Sequence, residues 1–129
     1  MGLDMMLEAK RYVGSSEREK LVSITQKLGY WRKANQIHGW FVNTVQNGVD
    51  DQREYPVSRE QLKELKALCE EALKNKDKAG EILPPTSGFF FGSYEVDEYY
   101  FKDCEDTIKI IDEALELPEE WDIIYSCWW

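Results

Sequence analysis

Both ends of the chain alternate. Leu3, Met5, Leu7 and Ala9 fall on one side of a period of two, with Asp4, Met6, Glu8 and Lys10 on the other. Near the other end, Trp121, Ile123, Tyr125, Cys127 and Trp129 alternate with Asp122, Ile124, Ser126 and Trp128. A period of two points successive side chains to opposite faces, so residues 3–13 and 121–129 read as strands with one buried face. A lone strand is not stable, because its backbone N–H and C=O groups need partners. The two segments are therefore expected to pair with each other. Everything between them must then cover one face of the resulting sheet.

The intervening sequence reads mainly as helices. Ser16, with Glu19 three residues on, is a capping box that predicts a short helix over residues 16–28, stopped at Gly29. Tyr30, Ala34, Ile37, Phe41 and Val45 follow helical spacing and predict a helix over 30–46. Asn47-Gly48 ends it, since both residues accept positive φ. Ser58-Arg59-Glu60-Gln61 is a second capping box, and Leu62, Leu65, Cys69 and Ala72 share a face behind it. Pro84-Pro85 forces an extended path toward Phe89-Phe90-Phe91, which is expected to be a short strand or ordered loop over the helices. Asp97 caps a last helix whose inward stripe is Tyr100, Phe101, Cys104, Ile108, Ile111 and Leu115. The expectation is a single α+β domain over residues 1–129, with three or four helices on a small sheet formed by the terminal strands.

Composition narrows the function classes. With 43% hydrophobic and 13% aromatic residues, the chain can bury a core, and a mean hydropathy of −0.57 goes with a soluble protein. No apolar run approaches the ~20 residues of a membrane helix. The opening residues lack a basic stretch followed by an apolar one, so no secretory leader is expected. Cys69, Cys104 and Cys127 are odd in number and far apart, without a CxxC or a Cys/His pair at zinc-ligand spacing. A reducing cytoplasmic compartment fits them, and no metal or cofactor is expected. Of the net charge of −9, residues 95–122 carry twelve acids against Lys102 and Lys109. That field repels phosphate backbones, so direct DNA binding is not expected. A basic protein partner is allowed, as is a merely solvated helix face.

The chemistry-bearing residues concentrate in YWRKANQIHGWF, from Tyr30 to Phe41. If Tyr30, Ala34, Ile37 and Phe41 face the core of a helix, then Trp31, Asn35 and His38 form a neighbouring stripe beside Arg32 and Lys33. Such a set can hold a planar, anionic ligand: the aromatic stacks, Asn and His hydrogen-bond, and the cations neutralise phosphate. Tyr94, Tyr99 and Trp128 are its expected aromatic companions. The competing reading makes Trp31 a core residue and His38 a buried histidine with satisfied ring nitrogens. Catalysis finds little support. No GxSxG, P-loop, GxGxxG or HExxH occurs, and His38 has no recognisable nucleophile beside it.

The chain also resembles a family of small bacteriophage and prophage proteins of unassigned function. The resemblance rests on the GLDMYL-like opening, Gly2 to Leu7 with Met6 at the tyrosine position, and on the YWRKAN-IH-WFV signature from Tyr30 to Val42. It extends to a GFFFGS-like segment from Gly88 to Ser93, a Tyr99-Tyr100 pair and a tail from Tyr125 to Trp129. It implies a phage origin and the host cytoplasm as location, but no mechanism. Short phage proteins outside the virion often act on the host. The expectation is therefore a non-enzymatic counter-defence factor that sequesters a nucleotide-like ligand through Trp31, Arg32, Asn35, His38, Tyr94 and Tyr99. The alternative is an inhibitor docking on a host defence protein through the acidic helix or an aromatic surface; a small enzyme is the weaker third. Homo-oligomerisation stays open.

Overall fold

A computed structural model describes residues 2–13, 22–86, 92 and 95–129. The first strand, β1 (Asp4–Val13), lies at the centre of a four-stranded antiparallel sheet of order β2-β1-β4-β3. Its neighbours are β2 (Val22–Arg32) and β4 (Asp122–Trp128). The third strand, β3 (Tyr55–Pro56), is a two-residue edge on β4. The expected pairing of the terminal segments is present, with Asp4 opposite Trp128, Met6 opposite Ser126 and Lys10 opposite Asp122.

Alternation sorts the sheet as read. Leu3, Met5, Leu7 and Ala9 are fully buried, and Ile123, Tyr125 and Cys127 face the same way. Among the described residues, four α-helices accompany the sheet: α1 (Asn35–Thr44), α2 (Arg59–Lys74), the single turn α3 (Ala79–Ile82) and α4 (Glu98–Leu115), and their buried residues join those of that face in one core. The Ser58 capping box forms as its sequence dictates, with the Ser58 hydroxyl accepting from Gln61 N–H and Gln61 Oε1 accepting from Ser58 N–H. The Asp97 carboxylate accepts from Tyr100 N–H and starts α4. Arg59 holds the far end of α4, donating to the carbonyls of Leu117 and Pro118. The chain leaves α1 through Asn47 and Gly48, both at positive φ.

Two helical expectations need correction. From Val22 onward the segment read as the 16–28 helix is strand β2, and Ser16 and Glu19 lie outside the described residues. Val22, Ile24 and Thr25 are β-branched and favour a pleated strand. Ladder pairing with β1, which no local pattern announces, decides the matter. Gly29 is therefore not a helix stop but an interior strand position. The helix expected over 30–46 begins five residues later. Tyr30, Trp31 and Arg32 finish β2, Lys33 turns the corner at φ 56°, and α1 starts at Asn35. Of the expected apolar stripe, Ala34, Ile37 and Phe41 are buried, but Tyr30 is exposed on the open face of the sheet. The Phe89–Phe91 segment lies outside the described residues.

A bulge sets how α4 meets the sheet. The register of β1 on β2 slips between Leu7 and Glu8, so Leu28 is the extra residue and Gly29 stands opposite Leu7. A Cβ on Gly29 would lie 2.5–2.7 Å from three side-chain atoms of Ile110 in α4. Glycine there lets the helix rest on the strand. Gly29→Ala is expected to destabilise the fold by about 1–3 kcal/mol through overpacking. Ile110→Ala should recover part of that loss in the double variant, measured by denaturant unfolding. Strictly additive losses would show that the two residues do not share this contact.

Candidate functional site

The turn from β2 into α1 forms one wall of a pocket of about 270 Å³. Arg32 and Lys33 lie at the corner itself, and Asn35 and Gln36 open the helix behind them. Across the cleft stand Asp97, Tyr99, Tyr100 and Asp103, from the N-cap and first turns of α4, with Gly92 and Glu95 from the segment before it. The corner is held by a backbone bond from Lys33 N–H to Leu3 O at 2.7 Å. Lys33 is a non-glycine residue in the left-handed region, a conformation that costs on the order of 1 kcal/mol or more and concentrates at binding sites. Gly92, at φ +85°, packs so close that a Cβ would come 3.1 Å from Lys33 Cβ. The strained lysine is thus gripped from both sides.

Most of the pocket's deeper polar groups are engaged by the fold. Asn35 Oδ1 accepts from Thr86 N–H at 3.0 Å, and Gln36 Nε2 donates to Tyr100 O at 3.1 Å. The Tyr100 hydroxyl reaches the carbonyls of Ala79 and Leu83, and burial raises its pKa. Arg32, Lys33 and Tyr99 are exposed at the mouth, Tyr99 most of all at 73%. Burial lifts the Asp103 carboxyl to about 6, helped by Asp106 and Asp97 and opposed by Lys102. The pocket is therefore of mixed charge, with two cations on one wall and carboxylates on the other.

Arg32, Asn35 and Tyr99 of the sequence-derived set come together here, and Tyr94 lies outside the described residues. Trp31, His38 and Trp128 do not line this pocket, Trp128 being exposed in β4. Trp31 belongs to β2, is buried, and donates from Nε1 to Thr107 Oγ1 at 2.8 Å while packing edge-on to Phe41. His38 is fully buried, with Nδ1 2.7 Å from the Tyr125 hydroxyl and Nε2 2.9 Å from Asp50 Oδ1. Burial lowers its pKa, against the raising effect of Asp50. The stripe of Trp31, Asn35 and His38 depended on a helix that began at Tyr30. Once Trp31 is in a strand, helical spacing no longer relates it to the other two.

Sequence reasoning missed the far wall. Glu95, Asp97 and Asp103 read as part of a solvated acidic face, and only the packing of α4 against the corner turns them toward Arg32. The Asp97 capping signal already placed the start of α4, but nothing local said what it would face.

Comparison with protein-family models, curated proteins and solved structures gave no match. What stands is a small α+β protein with a pocket of mixed charge between a strained strand–helix corner and the start of its last helix.

The raised Asp103 pKa has a measurable consequence. A carboxyl that holds its proton more tightly folded than unfolded loses stability as pH rises through the interval from about 4 to about 6. Asp103→Asn removes that penalty. It should stabilise the protein at pH 7 by about 1–2 kcal/mol, less than the full shift implies because the site is partly hydrated. The gain should vanish below pH 4. An equal effect at both pH values would mean that the charge on Asp103 is not what the substitution relieves.

Proposed function

We propose that this chain is a phage-encoded, non-enzymatic binding protein of the host cytoplasm, a counter-defence factor that sequesters a small planar anion of the nucleotide type. The observation that carries the reading is the corner itself. Arg32 and Lys33 stand side by side at the mouth of a concave site, with the exposed ring of Tyr99 across from them. Arg offers a bidentate anchor to phosphate and Lys a point charge. Tyr99 offers a face for stacking, a contribution of about 1–3 kcal/mol per base. The carboxylates of the far wall fit the other half of such a ligand, since the N–H groups of a base edge donate to carboxylates. A simple anion would gain nothing from them. Binding rather than turnover is favoured because Asp97 is committed to a helix cap and the Tyr100 hydroxyl to backbone carbonyls.

A second reading has its own observation. The sheet face turned away from the helices exposes Tyr12, Tyr30 and Trp128, each more than half accessible. With the acidic outer face of α4, that surface could dock on a host defence protein instead.

One experiment separates the two. Mononucleotides and cyclic dinucleotides are tested for thermal shifts on the wild-type protein, Arg32→Ala and Tyr99→Ala, alongside activity against a host defence system. The expected result is a ligand-dependent rise in Tm. Arg32→Ala should weaken binding tenfold or more, in keeping with a lost charge-assisted hydrogen bond, while leaving the ligand-free Tm nearly unchanged. If no nucleotide shifts the wild type, the sequestration reading ends. Replacing Glu105, Asp112 and Glu116 together by Gln should change stability by less than ~1 kcal/mol, because among the described residues only Asp112 of the three is ion-paired, to Lys66, with both side chains partly exposed. Loss of activity in that triple variant would move the conclusion to protein docking.

A further inference from the structure

Away from the pocket, behind α1, three side chains converge from distant parts of the chain. A ring nitrogen of His38, a carboxylate oxygen of Asp50 and Cys127 Sγ all lie within 4.8 Å of one another. His38 comes from α1, Asp50 from the loop that follows, and Cys127 from the inward face of β4. We propose that these three residues form a binding site for a single divalent transition-metal ion, zinc or its chemical equivalent.

The donor set selects the ion. Imidazole nitrogen, thiolate sulfur and one carboxylate oxygen suit a borderline-soft cation, whereas calcium and magnesium require mostly oxygen. The geometry is near to what zinc needs. Bonds of about 2.0–2.3 Å in a tetrahedron place ligand atoms roughly 3.3–3.8 Å apart, so the His38–Asp50 pair, now at 2.9 Å, opens slightly while the spacing to Cys127 Sγ stays within or closes from the 4.8 Å limit. Asp50 can make its part of that adjustment, because it sits in a loop and its side chain is one-third exposed.

The surroundings are those of a built site. Nε2 of His38 faces Asp50 at 2.9 Å, while Nδ1 is held by the Tyr125 hydroxyl at 2.7 Å. A second bond of this kind fixes the orientation of a metal-ligating imidazole. The loop is pinned next door: the Tyr55 hydroxyl lies 2.8 Å from each Asp51 carboxylate oxygen, and Cys127 Sγ donates to Asp51 O at 3.3 Å. On binding, the Cys127 thiol loses its proton to solvent and with it the bond to Asp51 O, and the metal takes the place of the His38 Nε2–Asp50 contact. His38 stays neutral by carrying its proton on Nδ1, from which it donates to Tyr125 Oη. Three protein ligands leave the fourth position of a tetrahedral ion to water.

The same three residues do not make a cysteine nucleophile. Both ring nitrogens of His38 are already directed, one at Tyr125 and one at Asp50, and the thiol is directed at a carbonyl. Among these three residues, the hydrogen bonds thus aim no base at the sulfur.

The test uses the full chain, stripped with a chelator and titrated with Co²⁺ and then Zn²⁺. The expected result is one Co²⁺ per chain, a thiolate-to-cobalt charge-transfer band, and the visible spectrum of a tetrahedral ion, all displaced by Zn²⁺. Cys127→Ser should lose the charge-transfer band, and Asp50→Asn should weaken binding at least tenfold. The Cys69→Ala/Cys104→Ala variant should keep both. A wild-type spectrum without the charge-transfer band overturns the proposal, as does a band that survives Cys127→Ser or that disappears in the Cys69/Cys104 variant. Should Cys127→Ser fail to fold, the wild-type spectrum and Asp50→Asn decide.

Discussion

Tyr125 ties the two layers of this protein together. Its ring stacks on Phe41 of α1 with centroids 3.8 Å apart and planes within 4°, and its hydroxyl meets His38 one turn earlier on the same helix. Within the sheet it stands between Leu7 on β1 and Tyr55 on β3. One side chain therefore fixes both the height and the rotation of α1 over the sheet. α1 needs such a fixing, because every residue from Asn35 to Val42 is buried. A helix enclosed on all sides has no polar face to orient it, so its buried polar groups must each find a partner at a defined place. Asn35 finds Thr86, Gln36 finds Tyr100, and His38 finds Tyr125 and Asp50. These bonds decide which way α1 faces.

The parts of the fold legible in the sequence were those set by short-range rules. Alternation identified β1 and β4 and even the faces of their residues. Ser58 with Gln61, and Asp97, announced the starts of α2 and α4 because capping is a contact between residues two or three apart. The failures share a cause at longer range. Ser23 to Lys27 of β2 are all exposed, so that stretch has no buried face and no apolar period to read. Its strand state comes from hydrogen bonding to β1. The tryptophan, asparagine and histidine of the central signature were rightly singled out as costly residues. Their purposes diverged because Trp31 precedes the corner at Lys33 while Asn35 and His38 follow it. The metal-type cluster was invisible for the same reason, since Cys127 reaches His38 only through the closure of the sheet.

The pocket inherits its shape from that corner. Lys33 takes a positive φ because β2 must end and α1 begin within two residues, and its N–H is held by Leu3 at the start of β1. The cations at the mouth are thus mounted on the end of the sheet rather than on a free loop. The backbone that carries them is fixed without a ligand, which removes the main-chain part of the ordering cost of binding one.

The strand order carries a further consequence, for how the chain reaches this state. The pair at the centre of the sheet, β1 and β4, is made from the two most distant segments of the sequence. As the chain emerges from a ribosome, β1 can find β2 early, but its other edge stays open until β4 has been made. During that interval Leu3, Met5, Leu7 and Ala9 lack half of their native cover, and an unpaired edge is available to any other strand. Closing so long a loop is also entropically slow. Closure of the sheet therefore waits for β4, and until then the open edge of β1 is the part of the fold most exposed to pairing with another chain.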